Sequence, residues 1–148
     1  MVETVRQKDV WEVFEGVAKI TGKKGKVEFL RKFENMMPLR DVLQGTFDKN
    51  IEWKLPPGTP PYTPQVDGPP APTSLLKQHL NFKYFIKGLA ACEQLSNIRR
   101  ERLFIDMLES IHPKDAEIVV SMVNKKKPDV DGLTEKLVKE AFPDLIPE

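Results

Sequence analysis

Three short runs of basic side chains are the residues of this chain best suited to a chemical role, because ammonium and guanidinium groups bind phosphate. The three runs are Lys23, Lys24 and Lys26; Arg99, Arg100 and Arg102; and Lys125, Lys126 and Lys127. Two of them fall in predicted turns between helices, where the side chains could reach phosphates without disturbing the core. Simple solvated turns are the alternative interpretation. Aromatic residues do not alternate with these lysines, so the sequence does not favour a surface on which single-stranded bases stack.

The two histidines, His79 and His112, are poorly placed to bind a metal ion. They stand far apart, and no Asp or Glu near either repeats the spacing of a zinc ligand set such as His-Glu-x-x-His. His79 lies between Leu75 and Phe82 on the apolar face of a predicted helix, which favours a hydrogen-bonded core histidine. His112 is expected to be a turn residue. We therefore expect no metal site.

The segment Asp129-Val130-Asp131-Gly132 has two interpretations, and both fail. A calcium loop in this register needs acidic residues where the chain has Lys127 and Val138. The Lys-x-Asp-Gly motif of nucleotidyltransferases needs its nucleophilic lysine where the chain has Asp129, so no adenylate is expected.

Motifs of other common active sites are also missing. There is no Gly-x-Ser-x-Gly elbow and no Gly-x-Gly-x-x-Gly, and Gly22-Lys23-Lys24-Gly25-Lys26 lacks the spacing and the hydroxyl of a Walker-type loop. Carboxylates such as Glu101 and Asp106 have no assignable role, because charged residues on helices usually form solvated faces. We expect a protein that is not an enzyme and uses no cofactor.

Composition places the chain among single globular domains: it has 148 residues, of which 40% are hydrophobic and 30% charged. Its 23 basic and 22 acidic residues give a net charge of +1, so no global field attracts it to nucleic acid or to an anionic membrane. Any phosphate affinity must therefore come from local clusters. Cys92, the only cysteine, excludes an intramolecular disulfide, favours a reducing compartment and is expected to be buried.

The amino terminus carries charges where a secretion signal needs an apolar run. No stretch approaches the roughly 18 uncharged apolar residues of a membrane-spanning helix. The sequence therefore predicts a soluble, cytoplasmic protein with no membrane partner, and it leaves the oligomeric state open.

Apolar residues recur at helical spacing along most of the chain, which predicts an all-α single domain of about seven short helices. The first helix is marked by Val10, Val13, Phe14 and Val17. Short helices are predicted around residues 27–33 and 39–47, the latter behind Pro38, which suits a first turn. The apolar residues of 75–86 surround their helix almost fully, so we expect that helix to be central.

The second half of the chain carries the clearer boundary signals. Ser96 is the predicted start of a helix that ends before Pro113, and Pro113 suits the first turn of the next helix. Asp115 is placed where a carboxylate complements the free amides and the positive dipole end of that helix. A last helix is predicted to carry Leu137, Val138, Ala141 and Phe142 and to end at Pro143.

Residues 56–72 are dense in proline and glycine, which predicts an extended arm. Such an arm can be a ligand for aromatic-lined grooves, but a spacer that packs across the domain is the favoured interpretation. The predicted core draws one or two apolar residues from each helix. These residues are Val13, Phe14, Leu30, Leu43, Leu80, Phe85, Phe104, Leu108, Val119, Leu137 and Phe142.

Two stretches near the carboxyl terminus resemble a family of small uncharacterised proteins of T-even-like tailed phages. They are residues 103–116 (LFIDMLESIHPKDA) and 133–147 (LTEKLVKEAFPDLIP), and residues 55–62 (LPPGTPPY) also resemble that family. The resemblance implies a phage protein in the cytoplasm of a bacterial host, without an established activity.

Residues 115–118 (DAEI) and 142–148 (FPDLIPE) are similar to the last helices of the amino-terminal, all-helical DNA-binding domain of T-even-type ATP-dependent DNA ligases. The preceding order of short helices, an extended Pro-containing segment and four helices is similar too. This resemblance implies contact with the duplex backbone, without sequence reading and without the catalytic domain.

Two hypotheses about function follow. The first is a stand-alone DNA-binding accessory module that holds duplex DNA through the two lysine runs, with the arginine run as a further contact. The second is a protein-interaction module that inhibits or redirects a host or phage protein, such as a defence or replication factor. Four acidic residues near the third basic run favour the second, because they weaken local phosphate attraction: Asp129, Asp131, Asp144 and Glu148.

Overall fold

A computed structural model describes residues 8–65 and 73–147 of the chain. Within these ranges it contains eight α-helices and one 3₁₀ helix. In chain order these are α1 (Val10–Lys19), α2 (Lys23–Arg31), α3 (Met37–Phe47), α4 (Leu75–Gln78), the 3₁₀ helix (His79–Tyr84), α5 (Ala90–Glu93), α6 (Asn97–Ser110), α7 (Pro113–Val123) and α8 (Glu135–Ala141). Sheet pairing in the described ranges is limited to one isolated antiparallel bridge between Trp53 and Ile86. The predicted all-α fold is confirmed.

Helix α7 is at the centre of the packing, since it contacts α1, α3 and α6. Helix α8 packs on α2, which in turn contacts α1. A continuous cluster of buried apolar side chains joins these helices, and it contains every predicted core residue except Leu80. Cys92 is fully buried, as predicted.

The ends of the helices follow the capping signals of the sequence. Asp9 and Glu12 form a reciprocal capping box at the start of α1. The Ser96 hydroxyl accepts a hydrogen bond from the Arg99 amide and caps α6, as predicted. Pro113 occupies the first turn of α7, also as predicted.

The prediction of a central helix over residues 75–86 is wrong. The helical turn of α4 passes into a 3₁₀ helix, which has three residues per turn instead of 3.6. A three-residue repeat buries His79, Phe82 and Phe85 in one row. Leu80 falls on a different face and is 66% exposed, so its place in the predicted core is also wrong. His79 is a buried, hydrogen-bonded histidine as predicted, since its Nδ1 contacts Asp41 Oδ2 at 2.5 Å.

The proline-rich arm packs across α6 and α7, as the spacer interpretation predicts, over residues 56–65. Gly58 and Asn124 exchange two hydrogen bonds, from Gly58 N to Asn124 Oδ1 (2.8 Å) and from Asn124 Nδ2 to Gly58 O (3.0 Å). The amide of Thr63 donates to Glu109 Oε2 at 2.8 Å. Residues 66–72 of the predicted arm lie outside the described residues.

Candidate nucleic-acid interface

One cation from each basic run is directed at the carbonyl end of a neighbouring helix. In the first run this cation is Lys26, which is only 6% exposed. Its Nζ donates to the carbonyl of Val17 in the last turn of α1, at 2.6 Å. The same carbonyl accepts a hydrogen bond from the Ile20 amide at 3.2 Å, so Lys26 adds a second, charged donor and opposes the negative end of the helix dipole.

Arg100 has the same role in the second run, although it is even more deeply buried, at 2% exposure. Its Nη2 donates to the carbonyls of Cys92 (2.9 Å) and Leu95 (2.7 Å), at the end of α5. Its Nη1 donates to Asn97 Oδ1 at 2.7 Å. A guanidinium with three such bonds joins the short α5 to the start of α6.

In the third run, Lys125 closes the end of α3. Its Nζ donates to the carbonyls of Gly45 (2.9 Å) and Asp48 (2.7 Å). Burial lowers the pKa of Lys125, and the charge of Asp48 opposes that shift. Lys125 also has a φ of +55°, in the left-handed region that terminates helices. Lys26, Arg100 and Lys125 therefore donate to backbone carbonyls of the protein, although the Nε of Arg100 is buried without a partner in the described residues.

The other six cations of the three runs differ in how far their charge is neutralised. Lys23 forms an ion pair with Glu140 at 2.6 Å, and Arg102 a weaker one with Asp106 at 3.5 Å. Four cations are exposed and form no ion pair with other residues in the described ranges. They are Lys24, Arg99, Lys126 and Lys127.

A groove of about 240 Å³ lies between the start of α2 and the loop that precedes α8. Lys23, Lys26 and Lys136 are the charged residues that line it, and no carboxylate is among the lining residues. Gly22 and Gly132 provide part of the remaining wall. We call this feature the lysine groove. It brings Lys136, which belongs to no basic run and was missed in the sequence, next to the first run.

Gly132 determines how the first basic run meets the loop between α7 and α8. Its φ is +78°, and a Cβ placed there would lie 2.7 Å from Lys26 Cε. The Lys26 side chain therefore crosses the face of this glycine on its way to α1. The same loop begins with Lys125, Lys126 and Lys127, so the first and third runs belong to adjoining segments. Arg99 instead lines a separate groove beside the 3₁₀ helix.

The start of α2 adds unpaired amides to the lysine groove. Gly22 is the N-cap residue, with a φ of +91°, and it has no side chain to accept a hydrogen bond. The first helical bond runs from Lys26 N to Gly22 O, which leaves the amides of Lys23, Lys24 and Gly25 without a helical partner. No acidic residue lies in the first turn. The electrostatics of this end favour an anion.

Two further polar residues stabilise the contact between α1 and α7. Asp115 is 1% exposed, and its Oδ1 accepts a hydrogen bond from the Trp11 amide at 2.9 Å. Asp115 lies in the first turn of α7, as predicted, and its hydrogen bond comes from the start of α1. His112, predicted as a turn residue, caps α7 through Nδ1, which accepts from the Lys114 amide (3.1 Å), and it stacks on Trp11.

Burial raises the pKa of Asp115 to about 7. The hydrogen bond from the Trp11 amide opposes this shift, while the charges of Asp9 and Glu12 add to it. Its second oxygen, Oδ2, is buried without a hydrogen-bond partner in the described part of the chain. The contact between the start of α1 and the start of α7 therefore contains a carboxyl group, that of Asp115, which ionises near neutral pH.

The described ranges, residues 8–65 and 73–147, were also compared with the requirements of a metal site and of a membrane-spanning helix. No group of three or more His, Cys, Asp or Glu side chains is arranged to hold a metal ion. None of the described helices has the length and apolar character needed to cross a membrane.

Comparison with known proteins places the chain in a family. No curated protein matches it. The model of the family of unknown function DUF6433 matches residues 13–129, which include α2 to α7 and most of α1. The match spans well over half of the sequence, and the chain belongs to this family of unknown function, DUF6433.

Proposed function

We propose that this protein is a stand-alone, non-catalytic DNA-binding module that holds the phosphate backbone of duplex DNA without reading its sequence. The observation that carries the proposal is the lysine groove, a concave surface whose charged lining residues are all lysines. Concave cationic surfaces concentrate field lines and attract polyanions, even on a protein whose net charge is only +1.

The groove offers two kinds of donor to a phosphate. Lys136 lines the groove and Lys24 follows the lining residue Lys23 in the first turn of α2, and both are exposed with mobile ammonium groups. The free amides at the start of α2 have fixed directions. Contacts of this kind fix the position of a protein on a duplex but carry no sequence information. Lys126 and Lys127 are also exposed, in the loop between α7 and α8 that contributes Gly132 to the groove.

The neutralised cations limit how strong the binding can be. Lys26 and Lys125 are engaged with helix carbonyls, and Lys23 is paired with Glu140. A surface with few free lysines fits non-specific affinity, with a dissociation constant on the order of 10⁻⁴ to 10⁻⁶ M at physiological salt. Affinity should fall with salt with a logarithmic slope of about −0.9 for each phosphate contacted.

The resemblance of residues 142–148 to the end of the DNA-binding domain of T-even-type ligases supports the same function. The order of elements supports it as well, since short helices, an extended proline-rich segment and further helices follow one another as in that domain. On this proposal the protein is a phage accessory factor that acts in the bacterial cytoplasm. The ligase reaction itself has no counterpart, because Asp129 stands at the position of the nucleophilic lysine.

The test is a binding titration with labelled nicked and intact duplexes of two unrelated sequences, at several salt concentrations. Lys24→Glu should weaken binding severalfold on every duplex and reduce the salt slope by about 1. It should not harm the fold, because an acidic residue in the first turn of α2 is favourable for the helix. Lys136→Glu should have a similar effect on binding.

Lys32→Glu is the matched control. It makes the same change of charge on an exposed residue that follows the other end of α2. Binding should then remain close to that of the wild type. Equal losses for Lys24→Glu and Lys32→Glu, or no association of the wild type at tens of micromolar, would contradict the proposal.

A further inference from the structure

A second and larger groove, of about 560 Å³, runs between the 3₁₀ helix and α6. Its apolar lining residues are Phe85, Leu95, Leu103 and Met107. Phe85 and Met107 are buried, whereas Leu103 is 38% exposed at the groove. We call this feature the α6 groove. It shares no lining residue with the lysine groove.

The three-residue repeat of the 3₁₀ helix builds one wall of the α6 groove. Gln78, Asn81 and Tyr84 recur at this spacing and line the groove. Asn81 Nδ2 donates to Gln78 Oε1 at 3.0 Å, so the two amides hold one another in place. The next row of the repeat is exposed and contains Leu80 between two lysines, Lys77 and Lys83.

The charges around the α6 groove are mostly positive. Arg99 lines it and forms no ion pair with another described residue, and Arg102 is exposed on the same helix. Asp106 is the one carboxylate among the lining residues, and Arg102 already contacts it at 3.5 Å. Lys83 is a third cation beside the groove, since its ammonium lies over the ring of the lining residue Tyr84 at 5.4 Å from the ring centre. A partner that fits this surface is apolar on one side and acidic on its flanks.

Single-stranded nucleic acid fits the same groove less well. Two aromatic residues line it, but Phe85 is buried, and the Lys83 ammonium lies over the ring of Tyr84 at 5.4 Å from its centre. Leu95, Leu103 and Met107 provide aliphatic surface, on which bases do not stack. A methionine in the floor suits side chains of variable shape, as in grooves that bind helices.

We infer that the α6 groove is a docking site for an acidic amphipathic helix of a partner protein. Such a helix would insert apolar side chains at positions i, i+3 or i+4, and i+7 between Leu103 and the 3₁₀ helix. Its acidic residues would then face Arg99 on one side and Lys83 on the other. The Gln78 Nε2 and Asn81 Oδ1 atoms, which take no part in the bond between the two side chains, supply polar contacts at the rim.

A displayed library of helical peptides with randomised faces, selected on the wild-type protein, tests this inference. The enriched peptides should combine an apolar stripe with acidic flanks. Their affinities are then measured by fluorescence anisotropy against the wild type, Arg99→Glu and Leu103→Lys. Each substitution should weaken binding at least tenfold, and both residues are exposed, so the fold should persist.

Ile98→Ser is the control within the same helix. Ile98 is 79% exposed and is not among the residues that line the α6 groove, so its substitution should leave the affinity unchanged. Lys24→Glu, which tests the lysine groove, should also leave peptide binding unchanged.

Three results would overturn the inference. The first is enrichment of peptides with basic or uncharged flanks, and the second is an equal response to Arg99→Glu and Ile98→Ser. The third is displacement of the peptides by a thymidine oligonucleotide, which would assign the groove to single-stranded nucleic acid. None of these results bears on duplex binding at the lysine groove.

Discussion

Asp115, in the first turn of α7, accepts a hydrogen bond from the backbone amide of Trp11, in the first turn of α1. One carboxylate thus belongs to one helix and caps another that lies far away in sequence. The arrangement joins the positive ends of two helices around a single anion, and it leaves the other carboxylate oxygen buried without a partner in the described residues.

Protonation of Asp115 should couple stability to pH. Its pKa rises from 3.8 to about 7 on folding, so the folded state binds more protons than the unfolded state between these values. Stability should therefore decrease as pH rises through this range, by up to about 1.4 kcal/mol per pH unit. Asp115→Asn keeps an oxygen for the Trp11 amide and carries no charge. Relative to the wild type, its free energy of unfolding should increase between pH 5 and pH 8.

Urea denaturation at a series of pH values measures this difference. Asp129→Asn, at an exposed position, removes the same charge and should give a pH profile parallel to that of the wild type. A parallel profile for Asp115→Asn as well would show that this carboxyl group does not titrate with a raised pKa.

Lys26→Met should destabilise the protein by roughly 1 to 3 kcal/mol, because the carbonyl of Val17 loses a charged donor in a buried position. Lys24→Met should change stability by less than about 0.5 kcal/mol, since Lys24 is exposed. Thermal unfolding of the two variants compares a capping lysine with a surface lysine two positions away. Equal changes would mean that the Lys26 contact adds nothing to stability.

Gly132→Ala should be destabilising for two separable reasons. The positive φ costs roughly 1 kcal/mol for a residue with a Cβ, and the new methyl group would clash with Lys26. Gly88→Ala isolates the first cost, because Gly88 has a φ of +95° and no heavy atom within 4 Å of the added Cβ. Gly132→Ala should therefore lower the unfolding temperature more than Gly88→Ala does. In a Lys26→Ala background, Gly132→Ala and Gly88→Ala should lower the unfolding temperature by similar amounts, because the clash with Lys26 is removed.

Leu108→Ala should cost roughly 2 to 5 kcal/mol, since Leu108 is fully buried and its truncation leaves a cavity. Phe142→Ala should have a similar cost. Leu80→Ala makes the same chemical change as Leu108→Ala on a side chain that is 66% exposed, and it should be close to neutral. Chemical denaturation distinguishes these cases, and a cost of 2 kcal/mol at Leu80 would contradict its exposed position.

Incubation with labelled ATP and Mg²⁺ should leave no nucleotide on the protein after denaturation. A covalent adenylate needs an amine nucleophile, and Asp129 stands where the related motif has lysine. Label that survives denaturing electrophoresis would show that another residue acts as the nucleophile.

The sequence by itself determined the fold class, most of the core and several helix ends. These features depend on short-range patterns. A helix over this segment always places Val10, Val13, Phe14 and Val17 on one face, and Ser96 caps the helix that begins at the next residue. Over residues 75–86 the apolar spacing predicted one α-helix, whereas the chain forms a short α-helix followed by a 3₁₀ helix. A change from 3.6 to three residues per turn moves Leu80 outward, and apolar spacing does not signal that change.

The roles of the basic residues were decided only by the tertiary structure. Within each run the side chains are chemically alike, yet Lys26, Arg100 and Lys125 donate to backbone carbonyls at helix ends. Lys24, Arg99 and Lys127 are exposed and form no ion pair with another described residue. Which lysine meets a carbonyl depends on where another helix happens to end, and that is a long-range property. Lys136 likewise lies beside Lys23 and Lys26 only because α8 packs on α2.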